Sequence, residues 1–118
     1  MKKIFSNLLN SINGLKITLK EHSFVIEIIG GFILIPYLVI VEMEIFFKLI
    51  IITIYFLLLA FELINTAIEK LSDKITKDLD DDIKKIKDIS SASVFVILFL
   101  LITSLILTHY VWSKVSNY

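Results

Sequence analysis

The chain contains no cysteine and no arginine, one proline, three glycines and one tryptophan in 118 residues. Without cysteine it forms no disulfide and no thiolate metal site. Without arginine it lacks the bidentate clamps common at phosphate sites, and all twelve basic residues are lysines that act as point charges. Glycine is too sparse for a phosphate-cradling loop: there is no GxxxxGK(S/T), no GxGxxG and no nucleophile elbow. Neither sign of charge is in excess, with twelve acids against twelve bases, so bulk charge steers no nucleic acid. No repeat and no Pro-, Gly- or Ser-rich linker divides the chain, which reads as a single membrane domain, 1–118.

What is abundant is apolar. At 57% hydrophobic residues the chain is too apolar for an ordinary soluble domain. Residues 24–41 form a first candidate span, 45–61 a second whose helix carries on to 66, and 92–112 a third that holds no charge. Each is about long enough for a hydrocarbon core that needs about 20 residues. Only Glu42-Met43-Glu44 separates the first two, which predicts a tight antiparallel hairpin. Pro36 is a candidate kink, and Gly30-Gly31 can admit a close neighbour. Ahead of the spans, residues 4–20 of an N-terminal segment 1–20 place Ile4, Leu8, Ile12, Leu15 and Leu19 on one narrow helix face. That pattern predicts an amphipathic helix lying in the membrane interface. Met1-Lys2-Lys3 could open a signal peptide, but Ser6, Asn7, Asn10, Ser11 and Asn13 make the following stretch too polar for one, so retention is expected.

The lysines set an orientation. Four precede the first span, and six (Lys70, Lys74, Lys77, Lys84, Lys85, Lys87) lie in the segment 70–91. The positive-inside rule puts the N-terminus and 70–91 in the cytoplasm and the C-terminus outside. Within 70–91, Ser72 to Leu79 is the expected loop, and Asp80-Asp81-Asp82 is expected to start the third helix. Tyr110 and Trp112 suit an interfacial aromatic belt, and Lys48 suits snorkelling to the outer interface.

The second span ends in a polar stripe. Glu62, Asn65, Glu69 and Asp73 recur at i, i+3, i+7 and i+11, within roughly 80° of one another on a helix. Such a stripe is costly in a membrane helix unless it binds something. Paired carboxylates can hold Mg²⁺ with a nucleotide's phosphates. Glu62, the deepest acid, is placed to take a proton from a lipid hydroxyl. A solvated helix extension accounts for Asp73 easily and Glu69 fairly well, but for Glu62 and Asn65 poorly. Glu21, just before the first span, either caps that helix or joins Glu69 at a metal, with capping favoured when Glu21 is taken alone. Glu27 suits a structural or headgroup-facing role. Lys87, Asp88 and Ser91 stand at the mouth of the third span, where a lysine can neutralise a transferring phosphoryl group or simply snorkel. Asp78, Asp80 and Asp82 mimic the start of a calcium loop, but Ile83 and Ile89 replace its glycine and glutamate. His22 and His109 lie toward opposite ends of the topology and cannot share a metal within one chain.

The run Glu62-Leu63-Ile64-Asn65-Thr66-Ala67-Ile68-Glu69, then Asp73, then Lys87-Asp88 with Ser91-Ala92, resembles the signature of the small bacterial diacylglycerol kinases. The resemblance covers nearly the whole chain, and Asn13-Gly14-Leu15 followed by Glu21, Phe24 and Glu27 also resembles the family's N-terminal pattern. It implies an all-α homotrimeric enzyme of the bacterial inner membrane, with active sites shared between subunits. That enzyme moves the γ-phosphate of MgATP to a lipid hydroxyl. By the same likeness Glu62 is the catalytic base, and Glu21 and Glu69 hold the ATP-bound Mg²⁺. Asn65, Asp73, Lys87, Asp88 and, more weakly, Ser11 contact or position the nucleotide. The chain departs from the pattern at Lys85, where many members have arginine, and at Ser90, where glycine or alanine is frequent. It is also one residue short between Gly14 and Glu21. Of the family's two substrates, diacylglycerol and undecaprenol, Lys87 to Ser93 resembles the diacylglycerol branch more closely. A non-enzymatic reading, a small regulatory subunit or an ion pathway lined by the stripe, is the rival; it predicts no ATP hydrolysis and tolerance of Lys87→Met.

Overall fold

The computed structural model describes residues 1–117, and every regular element in them is an α-helix. Four helices follow in order: α1 Lys2–Thr18, α2 His22–Ile40, α3 Ile45–Ile75 and α4 Asp81–Val115. The last three are long and apolar enough to cross a membrane. Most of each apolar window is left uncovered by the rest of the chain, as in Phe32, Ile33, Val39, Phe56, Phe95 and Phe99. A helix of 31 residues spans about 47 Å at about 1.5 Å per residue, well beyond a hydrocarbon core of about 30 Å. Both α3 and α4, with 31 and 35 residues, therefore project past such a core. Their projecting ends are the ones joined by residues 76–80, so they stand side by side.

The expected loop from Ser72 to Leu79 is corrected by the structure. Helix α3 continues through Ile75, and Ser72 is buried inside it. The turn is residues 76–80 only. Thr76 leaves the helix in extended conformation, and its Oγ1 accepts from the Asp78 N–H at 3.1 Å, a local bond that competes with further helix. Asp80 then caps α4, with its carboxylate accepting from the Ile83 N–H at 2.9 Å. Asp81 and Asp82 occupy the first turn, where acids favour the helix dipole, so the aspartate run starts α4 as expected.

Packing is dominated by α3 against α4, with less of α2 against α3 and least of α1 against α3. The core is built on one face of α3: Ile51, Ile54, Tyr55 and Leu58, with Leu38 of α2, Leu101 of α4 and Met43 from the short 41–44 turn. Those α3 positions recur at three and four residues, and the same face continues into Glu62, Asn65 and Thr66, also buried. The polar stripe is thus the core face carried on into the part of α3 that leaves the apolar region. On α1 the predicted apolar residues Ile4, Leu8, Ile12, Leu15 and Leu19 are all exposed, and only Thr18 is buried.

The glycine pair divides its roles. Gly31 lies against Tyr55, whose hydroxyl would collide with any Cβ placed there, while Gly30 has open space beside it. Tyr55 is itself held, since its hydroxyl donates to the Glu27 carbonyl at 3.1 Å. Gly31→Ala should therefore destabilise the detergent-solubilised protein by about 1–3 kcal/mol through overpacking. Gly30→Ala should leave its thermal unfolding midpoint unchanged or slightly raised. Equal midpoints for the two variants would contradict the close α2–α3 approach.

Candidate functional site

The stripe on α3 grades from buried to exposed along the helix. Glu62 is 3% exposed and Asn65 6%, Glu69 is partly buried and Asp73 is exposed. Glu62 meets α2, Asn65 and Asp73 meet α4, and Glu69 meets Asn65 on its own helix.

Glu62 accepts a short hydrogen bond on Oε1 from the Ser23 hydroxyl, at the start of α2. It makes no ion pair with any lysine among the described residues. Ser23 carries no signal in the sequence, since its alignment with Glu62 depends on how two helices register. Glu27, expected in a structural or headgroup-facing role, is partly buried and lies close enough to Glu62 for their charges to interact. Its Oε2 is buried with no hydrogen-bond partner, the one such side-chain atom among the described residues. Buried polar atoms are normally satisfied, so this carboxylate oxygen is an exception in the fold. Glu27 also lines a cavity of about 730 Å³ between α2, α3 and α4, otherwise walled mainly by apolar side chains such as Leu34, Leu58 and Leu101 with Tyr37 and Tyr55. Its size falls within the ~300–1,000 Å³ of small-molecule sites.

Asn65 sits between two partners. Its Nδ2 donates to Glu69 Oε1 at 3.3 Å, and its Oδ1 accepts from the Ser90 hydroxyl of α4 at 2.7 Å. Farther out, Lys87 Nζ of α4 donates to Asp73 Oδ1 at 2.5 Å. That bond, with added attraction from Lys77 and Lys70, holds the Asp73 carboxyl below its ordinary value of 3.8. Asp73 and Lys87 also line a polar cleft of about 520 Å³ at the α3–α4 turn, with Thr76, Lys77 and Lys84. Asp88 is turned away from this group and pairs with Lys84 on its own helix at 2.6 Å.

Glu21 makes no side-chain cap on α2, so the capping role is corrected. Its carboxylate instead pairs with Lys70 at 3.0 Å. Lys70 follows Glu69 on α3, so the pair draws the start of α2 toward the stripe. Lys70 was not singled out by the sequence, where it reads as one of six segment lysines. Ser11 donates to the Asn7 carbonyl within α1, and it lines a cleft of about 520 Å³ between α1 and α3 together with Thr18, Thr66 and Lys70.

No group of three or more His, Cys, Asp or Glu side chains is arranged to hold a metal among the described residues. Mg²⁺ keeps several waters and typically takes one or two protein carboxylates plus phosphate oxygens. Of the two carboxylates expected at a metal, Glu21 pairs with Lys70 and Glu69 accepts from Asn65. Asp78, Asp80 and Asp82 form no such group either.

A family profile described as prokaryotic diacylglycerol kinase matches residues 9–108. No curated protein matches the chain.

The Asp73–Lys87 pair has a defined pH dependence. A carboxyl held low in the folded state adds stability above its unfolded pKa and loses it as pH falls through the lower folded value. Lys87→Met should move the Asp73 carboxyl titration, followed by ¹³C NMR, upward toward 3.8. An unchanged titration would show that the contact does not persist in solution.

Proposed function

The chain belongs to the prokaryotic diacylglycerol kinase family and is a lipid kinase; from that premise we propose that it transfers the γ-phosphate of ATP to the hydroxyl of diacylglycerol, giving phosphatidic acid. One observation carries the residue roles: a carboxylate, Glu62, buried at 3% exposure on a span-length helix, with a serine hydroxyl beside it and no ion pair to a cation among the described residues. A buried unpaired carboxylate is costly in a membrane protein and marks a functional position.

In this reading Glu62 is the general base. It takes the proton of the lipid hydroxyl as the new Pγ–O bond forms and the bond to ADP breaks. The apolar cavity that Glu27 lines receives the lipid, with its hydroxyl toward Glu62. Asn65, Asp73, Lys87, Asp88 and Ser11 contact or position the nucleotide, with the lysine-bearing cleft at the α3–α4 turn supplying positive charge for phosphates. Glu21 and Glu69 are the residues that would hold the Mg²⁺ of MgATP, which offsets phosphate charge when bound. Lys70 pairs with Glu21 beside them. Phosphoryl transfer needs alignment and charge stabilisation more than covalent chemistry, which suits a scaffold of four helices.

The same proposal sets the assembly and placement. The exposed apolar residues of α1 support an amphipathic helix at the interface. The uncovered apolar faces of α2, α3 and α4 support a chain embedded in lipid, and the reading assembles it as a homotrimer with shared active sites. The lysine distribution supports a bacterial inner-membrane protein with its N-terminus and 70–91 in the cytoplasm and its C-terminus outside.

Purified protein in mixed micelles with labelled ATP, offered diacylglycerol and undecaprenol in parallel, should label diacylglycerol preferentially. Preferential labelling of undecaprenol would transfer the chain to the family's other substrate. Glu62→Gln should lower kcat by about 10²–10⁴-fold, the usual range for losing a general base, while helicity and elution volume stay those of the wild type. Near-normal turnover by that variant would remove Glu62 as the base.

A further inference from the structure

Hydroxyl side chains in these helices mostly bond back along their own helix. Ser11, Thr18, Thr53, Thr103, Thr108 and Ser113 all donate to carbonyls three or four residues earlier. Ser90 does not. Its hydroxyl crosses from α4 to α3 and meets Asn65 Oδ1 at 2.7 Å, and both residues are 6% exposed.

The direction of that bond is dictated by the third member. A carboxylate only accepts, so the amide nitrogen of Asn65 must face Glu69. The amide oxygen then faces Ser90, and Ser90 must be the donor. The three groups form one directional chain, from the Ser90 hydroxyl through the Asn65 amide to the Glu69 carboxylate. The outer link is long, at 3.3 Å, whereas the inner one is 2.7 Å. Most of the hold on the amide therefore comes from Ser90. With the hydroxyl removed, the buried Asn65 Oδ1 loses its partner on α4, and an amide left with only the longer bond to Glu69 turns more freely and orients that carboxylate less well.

We infer that Ser90 is a positioning residue for the nucleotide-bound cation: it locks the amide of Asn65 and, through it, the carboxylate of Glu69. The inference rests on the proposed role of Glu69 in holding that cation. Ser90 touches the carboxylate only through Asn65, so loss of the lock weakens the site without abolishing it.

The full-length protein in micelles, as wild type, Ser90→Ala and Ser90→Cys, tests this with Mn²⁺ and a non-hydrolysable ATP analogue, bound Mn²⁺ being read by EPR without lipid substrate. Ser90→Ala should bind the Mn²⁺–nucleotide about fivefold more weakly, the scale of one ordinary hydrogen bond. Ser90→Cys, a weak donor of similar size, should recover part of the loss. The side-chain amide resonances of Asn65 should shift or broaden in Ser90→Ala. In turnover, KM for the nucleotide should rise while KM for diacylglycerol holds. Wild-type affinity and unchanged Asn65 resonances in Ser90→Ala would overturn the lock and leave the kinase reading standing. So would an equal rise in both KM values with no recovery in Ser90→Cys, which would make Ser90 a packing residue. A wild-type protein that binds no Mn²⁺–nucleotide would fail the kinase reading itself, and the lock with it.

Discussion

The buried face of α3 constrains everything else in this molecule. That face begins as hydrocarbon at Ile51 and Leu58 and continues, without leaving the interior, as Glu62 and Asn65. A polar side chain withdrawn from water needs a partner, and in a membrane helix the need is greater. The partners come from both flanking helices, Ser23 on α2 for Glu62 and Ser90 on α4 for Asn65. Two interhelical registers are thereby tied to two hydrogen bonds at the depth where the apolar core gives way to polar groups.

Helix length supplies the second constraint. Because α3 and α4 both outrun a hydrocarbon core and share a five-residue turn, their surplus turns must stand together. The surplus is where the charges are. Lys87 reaches from α4 to Asp73, and Lys70 reaches from α3 to Glu21 at the start of α2. These pairs are exposed or half-exposed, so each adds little stability by itself. Their effect is to bring the beginning of α2 and the mouth of α4 to the same end of the stripe.

Depth then sorts the chemistry. An apolar cavity carries a single carboxylate, Glu27, one of whose oxygens is buried without a partner. Above it lies the amide-bridged Glu69, and beyond that a cleft lined by lysines and aspartates. A lipid kinase has to bring a water-soluble triphosphate to an alcohol anchored in the bilayer. An arrangement that passes from apolar to basic along one helix suits those two substrates. The family match over residues 9–108 gives that arrangement its class of reaction.

Periodicity and composition by themselves determined four helices, three of them of membrane length, the aspartate start of α4 and the shared face of Glu62, Asn65, Glu69 and Asp73. These follow from local geometry, about 100° per residue and about 1.5 Å per residue, which spacing reports directly. The end of α3 was misplaced because Ser72, Asp73 and Lys74 are polar enough to pass for a loop, whereas the helix carries on through them, with Ser72 buried and the others exposed, until Thr76 turns to extended conformation. Tertiary structure alone decided that Glu21 pairs with Lys70 instead of capping α2, that Asp88 turns to Lys84, and that Glu27 faces inward. It alone brought Ser23 and Ser90 to the stripe, since a serine's partner 25 or 39 residues away depends on how helices register, and no spacing within one helix encodes that.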